Sequence, residues 1–202
     1  MTIEPSVDKL ESQEQQNNAM VDQDYFDIVS RLGSQIISPG GLVTFKRKRG
    51  GALYVSAGVF GGARLEGSRQ VVSCSPGTEF TKTVIVSGSV LIKGASFACD
   101  GNTPAIIVEE GGSLLLVDCF ISKGDGLQAS ASDRYITIEA GGFGTFSNCR
   151  FFGDQAAVGT VITNEDALNP ARAAVVGGMN YTNIVAASRY TNVGYIQDMA
   201  IV

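Results

Sequence analysis

The chain has 202 residues, 44% of them hydrophobic and 17% charged, with a net charge of −5. That length buries one core without calling for a second domain, and its apolar runs, such as Leu114–Val117, fall far short of the ~20 residues that span a bilayer. Histidine and tryptophan are both absent, so no Ser-His-Asp or Cys-His centre can be built and the usual neutral-pH proton shuttle is missing.

Residues 1–21 are rich in Glu, Gln, Asn and Ser, the composition of a segment that does not collapse alone; they are expected to form an extended acidic arm. No basic stretch followed by an apolar run opens the chain, so synthesis and folding in a cytoplasm, with reduced cysteines, is the expectation. Seven acids stand against two bases through Gln35, which gives the arm region −5 and leaves thirteen of each, a neutral remainder. A neutral body argues against general nucleic-acid binding. Residues 22–33 read as a short capping helix: Asp22 or Asp24 caps its start, Tyr25, Ile28, Val29 and Leu32 form one stripe, and Gly33 ends it.

From residue 34 to 202 helical periodicity gives way to short Val/Ile/Leu/Phe-rich runs separated by Gly, Asn, Asp and Ser, the pattern of strands and tight turns. Lys46-Arg47-Lys48-Arg49, followed by Gly50-Gly51, reads as a hairpin tip. It is a solvated turn or a contact for an acidic surface, such as a neighbouring copy's arm; nucleic acid or acidic lipid is the weaker alternative. The glycines of Gly61–Gly67 form no phosphate-binding loop.

Two segments thirty residues apart echo each other: Ile106–Ser122 (IIVEEGGSLLLVDCFIS) and Ile136–Phe152 (ITIEAGGFGTFSNCRFF). Ile106 meets Ile136, Glu109 meets Glu139, Gly112 meets Gly142, Leu116 meets Phe146, Asp118 meets Asn148, Cys119 meets Cys149 and Ile121 meets Phe151. Lys82–Cys99 is an earlier copy, with Gly88-Ser89 answering Gly112-Ser113, and Ala173–Asn183 a later one, with Gly177-Gly178 at its corner. Such a period means stacked units that share one core.

The VDCFIS and SNCRF segments and the Gly-Gly corners resemble coils of right-handed parallel β-helices, the pectate-lyase-like architecture common in phage proteins, over about Val72–Ser188. The fold class expected is therefore all-β: a right-handed parallel β-helix of several short rungs, preceded by the extended arm and one short helix. An antiparallel β-sandwich is the rival, since short Val- and Gly-rich strands fit it too. In the coil, Cys119 over Cys149 and Ile121 over Phe151 are expected to stack inward, and Asp118 over Asn148 outward or at a corner.

Little chemistry is left to assign. Metal is not expected, because a tetrahedral zinc site would need all four of Cys74, Cys99, Cys119 and Cys149, none of which sits in a CxxC pair. Glu109 and Glu139 offer the two carboxylates a glycosidase requires, but they read better as solvated rung edges. No catalytic residue and no cofactor is assigned.

The resemblance, the acidic arm and the missing catalytic centre together imply a non-enzymatic virion structural protein. It would be a capsid decoration (cement) protein on the outside of a phage head, assembled in the host cytoplasm and partnered by the major capsid protein or another virion protein. Self-association, as a homotrimer, is expected, without nucleic acid or membrane. The residues expected to touch partners are Asp22, Tyr25 and Phe26 of the helix, Lys46, Arg47, Lys48 and Arg49, and Met199 and Ile201 of the apolar C-terminus. A tail-associated, glycan-gripping β-helix spike is the alternative, with Tyr135, Tyr181, Tyr190 and Tyr195 as its platform. A small polysaccharide-degrading enzyme is the third reading.

Overall fold

The computed structural model describes residues 42–45, 51–55, 57–99, 103–123, 134–153 and 160–197. The expected arm, the expected helix over 22–33, the Lys46–Arg49 cluster and the C-terminal Met199 and Ile201 lie outside the described residues.

Among the described residues twenty strands fall into three sheets. Sheet A holds β1 (Leu42–Phe45), β4 (Gly62–Leu65), β7 (Val84–Val86), β10 (Ile106–Val108), β13 (Arg134–Ile138), β16 (Thr160–Asn164) and β19 (Tyr190–Thr191). Sheet B holds β2 (Gly51–Val55), β5 (Gln70–Cys74), β8 (Ser89–Lys93), β11 (Ser113–Val117), β14 (Phe143–Ser147), β17 (Ala173–Val176) and β20 (Tyr195–Gln197). Sheet C holds β3 (Gly58–Phe60), β6 (Thr78–Phe80), β9 (Ser96–Cys99), β12 (Phe120–Lys123), β15 (Arg150–Phe152) and β18 (Asn180–Thr182). Each strand pairs in parallel with the strand three places along the chain. The chain thus winds through A, B and C in turn as a right-handed parallel β-helix, and the antiparallel sandwich is not formed.

Alternation along each strand decides which side chains enter the tube. In β8 and β11 every second residue is buried, the period of a pleated strand with one face on a core. Inward residues then stack in register from rung to rung. Sheet A contributes Ala63, Val84, Ile106, Ile136 and Ile162; sheet B contributes Val72, Ile92, Leu116, Phe146 and Val175. Sheet C contributes a column that is aromatic except at Ile121: Phe60, Phe80, Phe97, Ile121, Phe151 and Tyr181. Its rings lie 5.6 Å (Phe60–Phe80), 5.5 Å (Phe80–Phe97) and 5.5 Å (Phe151–Tyr181) apart between centroids, within the range where aromatic pairs attract.

The echo read from the sequence is the register itself. Ser89, Ser113 and Phe143 are successive partners, steps of 24 and 30 residues (113 − 89 and 143 − 113), and the longer step is taken up between β12 and β13. The Gly-Gly corner lies between sheets A and B. Gly141 holds φ +87°, and a Cβ on Gly112 would sit 2.4 Å from the Val86 carbonyl oxygen; backbone stacked this closely leaves room only for hydrogen. Gly177-Gly178 proves to belong to a different corner. Gly177 accepts a hydrogen bond from the Asn148 backbone N–H, so the pair occupies the B–C corner beside Asp118 and Asn148. The A–B corner of that rung is instead built by the 3-10 turn Pro170–Arg172 and the residues before it.

Core volume is conserved between rungs rather than at each position. Leu114 and Leu116 of one rung face Gly144 and Phe146 of the next, and a Cβ on Gly144 would sit 2.6 Å from Ile138 Cδ1 and 2.9 Å from the Phe146 ring. Gly144→Ala is expected to cost about 1–3 kcal/mol by overpacking. The cost should shrink when Phe146→Leu is added, a coupling read from a double-mutant cycle in denaturant unfolding.

Candidate functional site

The echoed cysteines are core. Cys119 and Cys149 are fully buried, and their thiols donate to Val117 O (3.2 Å) and Ser147 O (3.3 Å). Burial pushes the Cys149 thiol up to about 11 and Cys74 up to about 12, and drives Cys119 further still. The thiolate is the nucleophile and the metal ligand, and these sites disfavour it. Among the described residues no group of three His, Cys, Asp or Glu side chains is placed to hold a metal ion.

One of the two echoed acids does not behave as the sequence suggests. Glu109 is not a freely solvated rung edge. Arg64, two rungs earlier, grips it with two hydrogen bonds, Nη1 to Oε1 at 2.9 Å and Nη2 to Oε2 at 2.5 Å, while Nε reaches Glu66 at 2.8 Å. Arg64 shares its outward register with Ile85 and Ile107, so its side chain bridges past one rung to reach the acid. Hydrogen bonding to Glu109, then to Glu66, holds the guanidinium above its ordinary pKa. The fork geometry makes Glu109 the bidentate partner of Arg64.

At the B–C corner Asp118 (φ +53°) and Asn148 (φ +49°) take the left-handed conformation in successive rungs, where Gly94 (φ +77°) stands one rung earlier and Gly177 (φ +75°) one rung later. Asx residues tolerate that conformation better than other residues with a Cβ. Asn148 Nδ2 donates to Asp118 Oδ1 at 2.6 Å, and Lys93 Nζ lies 3.5 Å from Asp118 Oδ2. This is the corner stack that the sequence pointed to. An open groove of about 290 Å³ runs beside it, lined by Ser96, Asp118, Phe120, Asn148 and Arg150. Phe120 and Arg150 are register partners on the outer face of sheet C. They follow the matched cysteines directly in the echo, and that position was the signal available for them.

The four tyrosines considered as a glycan platform do not assemble into one. Tyr135 is buried with its hydroxyl donating to Phe152 O at 3.1 Å. Tyr181 lies flat on Phe151, is capped by the Arg189 guanidinium, and shares a hydroxyl–hydroxyl hydrogen bond with Tyr190. Tyr195 is the one of the four that stands exposed.

The buried thiols set a pH dependence. A group whose pKa is raised on folding stabilises the fold below its unfolded value, and that stability is lost as pH rises toward the folded value. The Cys149 contribution should hold up to about pH 9, the ordinary thiol value, and decline between about 9 and 11. Unfolding free energies measured across that window should fall less steeply for Cys149→Ala than for the wild type.

Comparison of the chain with protein-family models, with curated proteins and with solved structures finds no match.

Proposed function

We propose that this protein is a structural binding module of a phage particle, a decoration protein that sits on the outside of the head and is tied to it by the acidic N-terminal arm. The observation that carries the reading is that the features of the repeat suggestive of chemistry are used up in holding the coil together. Cys119 and Cys149 fill the core, and Glu109 is locked to Arg64. The charge imbalance of the chain lies in residues 1–35, which precede the repeat, and an acidic segment there suits a basic partner surface. The resemblance to phage β-helices adds the particle as the setting. Removal of residues 1–32 should leave a body with unchanged β-sheet circular dichroism that no longer co-sediments with capsids lacking the protein; retained binding sinks the anchor.

A tail-associated spike that grips surface glycans is the second reading, favoured by the groove at Asp118, Asn148 and Arg150 with the Phe120 ring on its wall. An exposed ring beside paired donors and acceptors suits one saccharide unit. On this reading a glycan array should return hits that Phe120→Ala reduces at least about tenfold; an array without hits retires it.

A further inference from the structure

We propose that the outer face of sheet B is the surface through which one copy of this chain packs against another. The three outer faces are not equivalent. On sheet A the outward Thr137 and Thr163 are buried, and Arg64 covers part of the rest through its bridge to Glu109. Sheet C turns Arg150, Asn180 and the polar groove outward. Sheet B differs from both. Along its midline Val71, Leu91, Leu115, Thr145, Ala174 and Tyr195 follow one another in register, none of them charged. Phe143, Val176 and Tyr195 on the same face are 47%, 41% and 55% exposed.

Charge singles out a second copy as the occupant. Among the outward positions of β5, β8, β11, β14, β17 and β20 the one ionisable cation or acid is Lys93. It lies on the row nearest the B–C corner and is offset by Asp118 at 3.5 Å. Arg172 stands over the Phe143 ring from the opposite margin, paired with Asp166 at 3.4 Å. A surface that meets its own image cannot carry uncompensated charge in its middle, because like charges would face each other. A partner of opposite charge, by contrast, would find nothing here to recognise. A face with a largely apolar midline, serines along its margins and no uncompensated charge can meet its own image, and its rung spacing is identical on both copies, so rows can interdigitate at the ~10 Å separation of packed sheets.

The six strands carry 27 residues, which at about 3.3 Å along each strand and about 4.8 Å between strands give a footprint of roughly 430 Å². Two such faces remove roughly 860 Å² before side-chain relief is added, which brings the ~1,000 Å² of a specific interface within reach. Left uncovered, the face matches in size the largest patches that monomers expose.

The inference stands on sheet B alone and is independent of the decoration reading, since a self-associating chain that binds no shell would leave it intact. Sedimentation velocity on the full chain over a wide micromolar range tests it. The wild type should sediment as a closed oligomer. Leu115→Lys and Thr145→Lys should each weaken association at least about tenfold toward monomer, while Phe152→Lys on sheet C should leave it unchanged. Thr145 is polar and outward already, so its substitution remains informative if Leu115→Lys fails to fold; circular dichroism and thermal unfolding establish that each variant is folded. A wild type that stays monomeric throughout, or that sits on another protein without self-associating, overturns the proposal. So does an oligomer indifferent to both sheet B lysines, or one that Phe152→Lys disrupts equally.

Discussion

Parallel stacking in register governs this molecule. Within each column an inward side chain sits between those at the same position of the rungs above and below, about 4.8 Å away, so it cannot be chosen without regard to its neighbours. Where a column can be filled by like residues it is, as in the Phe60-Phe80-Phe97 stack. Where it cannot, the volume is moved sideways within the rung, as when Gly144 makes room for Phe146. The corners obey the same constraint through the backbone. Glycine recurs where one corner lies against the next, and Gly, Asp and Asn share the left-handed position at the B–C turn.

Polar groups inside the tube mark where the columns change character. Asn164 follows Val86, Val108 and Ile138 in an inward column and is fully buried. Its amide donates to the carbonyls of Asn169 and Asn192 and its Oδ1 accepts from the Asp166 N–H, so a polar network closes an aliphatic column without leaving a group unpaired. Gln70, which precedes Val90 and Leu114 in their column, is buried with both amide atoms unpartnered, at a cost of about 1–3 kcal/mol by ordinary standards.

The outside of the coil is under no such rule, and the three faces have diverged. Arg64 ties two non-adjacent rungs together on one, the Asp118–Asn148 pair borders a groove at another edge, and sheet B keeps its surface free of uncompensated charge. The result is a coil with three distinct outer faces.

Much of this was legible in the chain. The echo of Ile106–Ser122 in Ile136–Phe152 predicted the register residue by residue, because a parallel coil repeats its environment at each turn and so repeats its residue types. The inward stacking of Cys119 on Cys149, and of Ile121 on Phe151, followed from the same logic. Gly177-Gly178 reads from the sequence as the Gly-Gly corner of a later copy but lies at the B–C corner, since glycine satisfies both kinds of turn and the loop before Pro170 shifts the local count. What only the tertiary structure decided was lateral. Nothing in the sequence near Glu109 announces Arg64, forty-five residues earlier. Nor does a strand written Ser-Leu-Leu-Leu-Val say that Leu115 points away from a core that holds Leu114 and Leu116. Sequence pattern specifies what repeats along the coil axis, whereas contacts across rungs and the composition of a whole face depend on residues that come together only when the chain has wound.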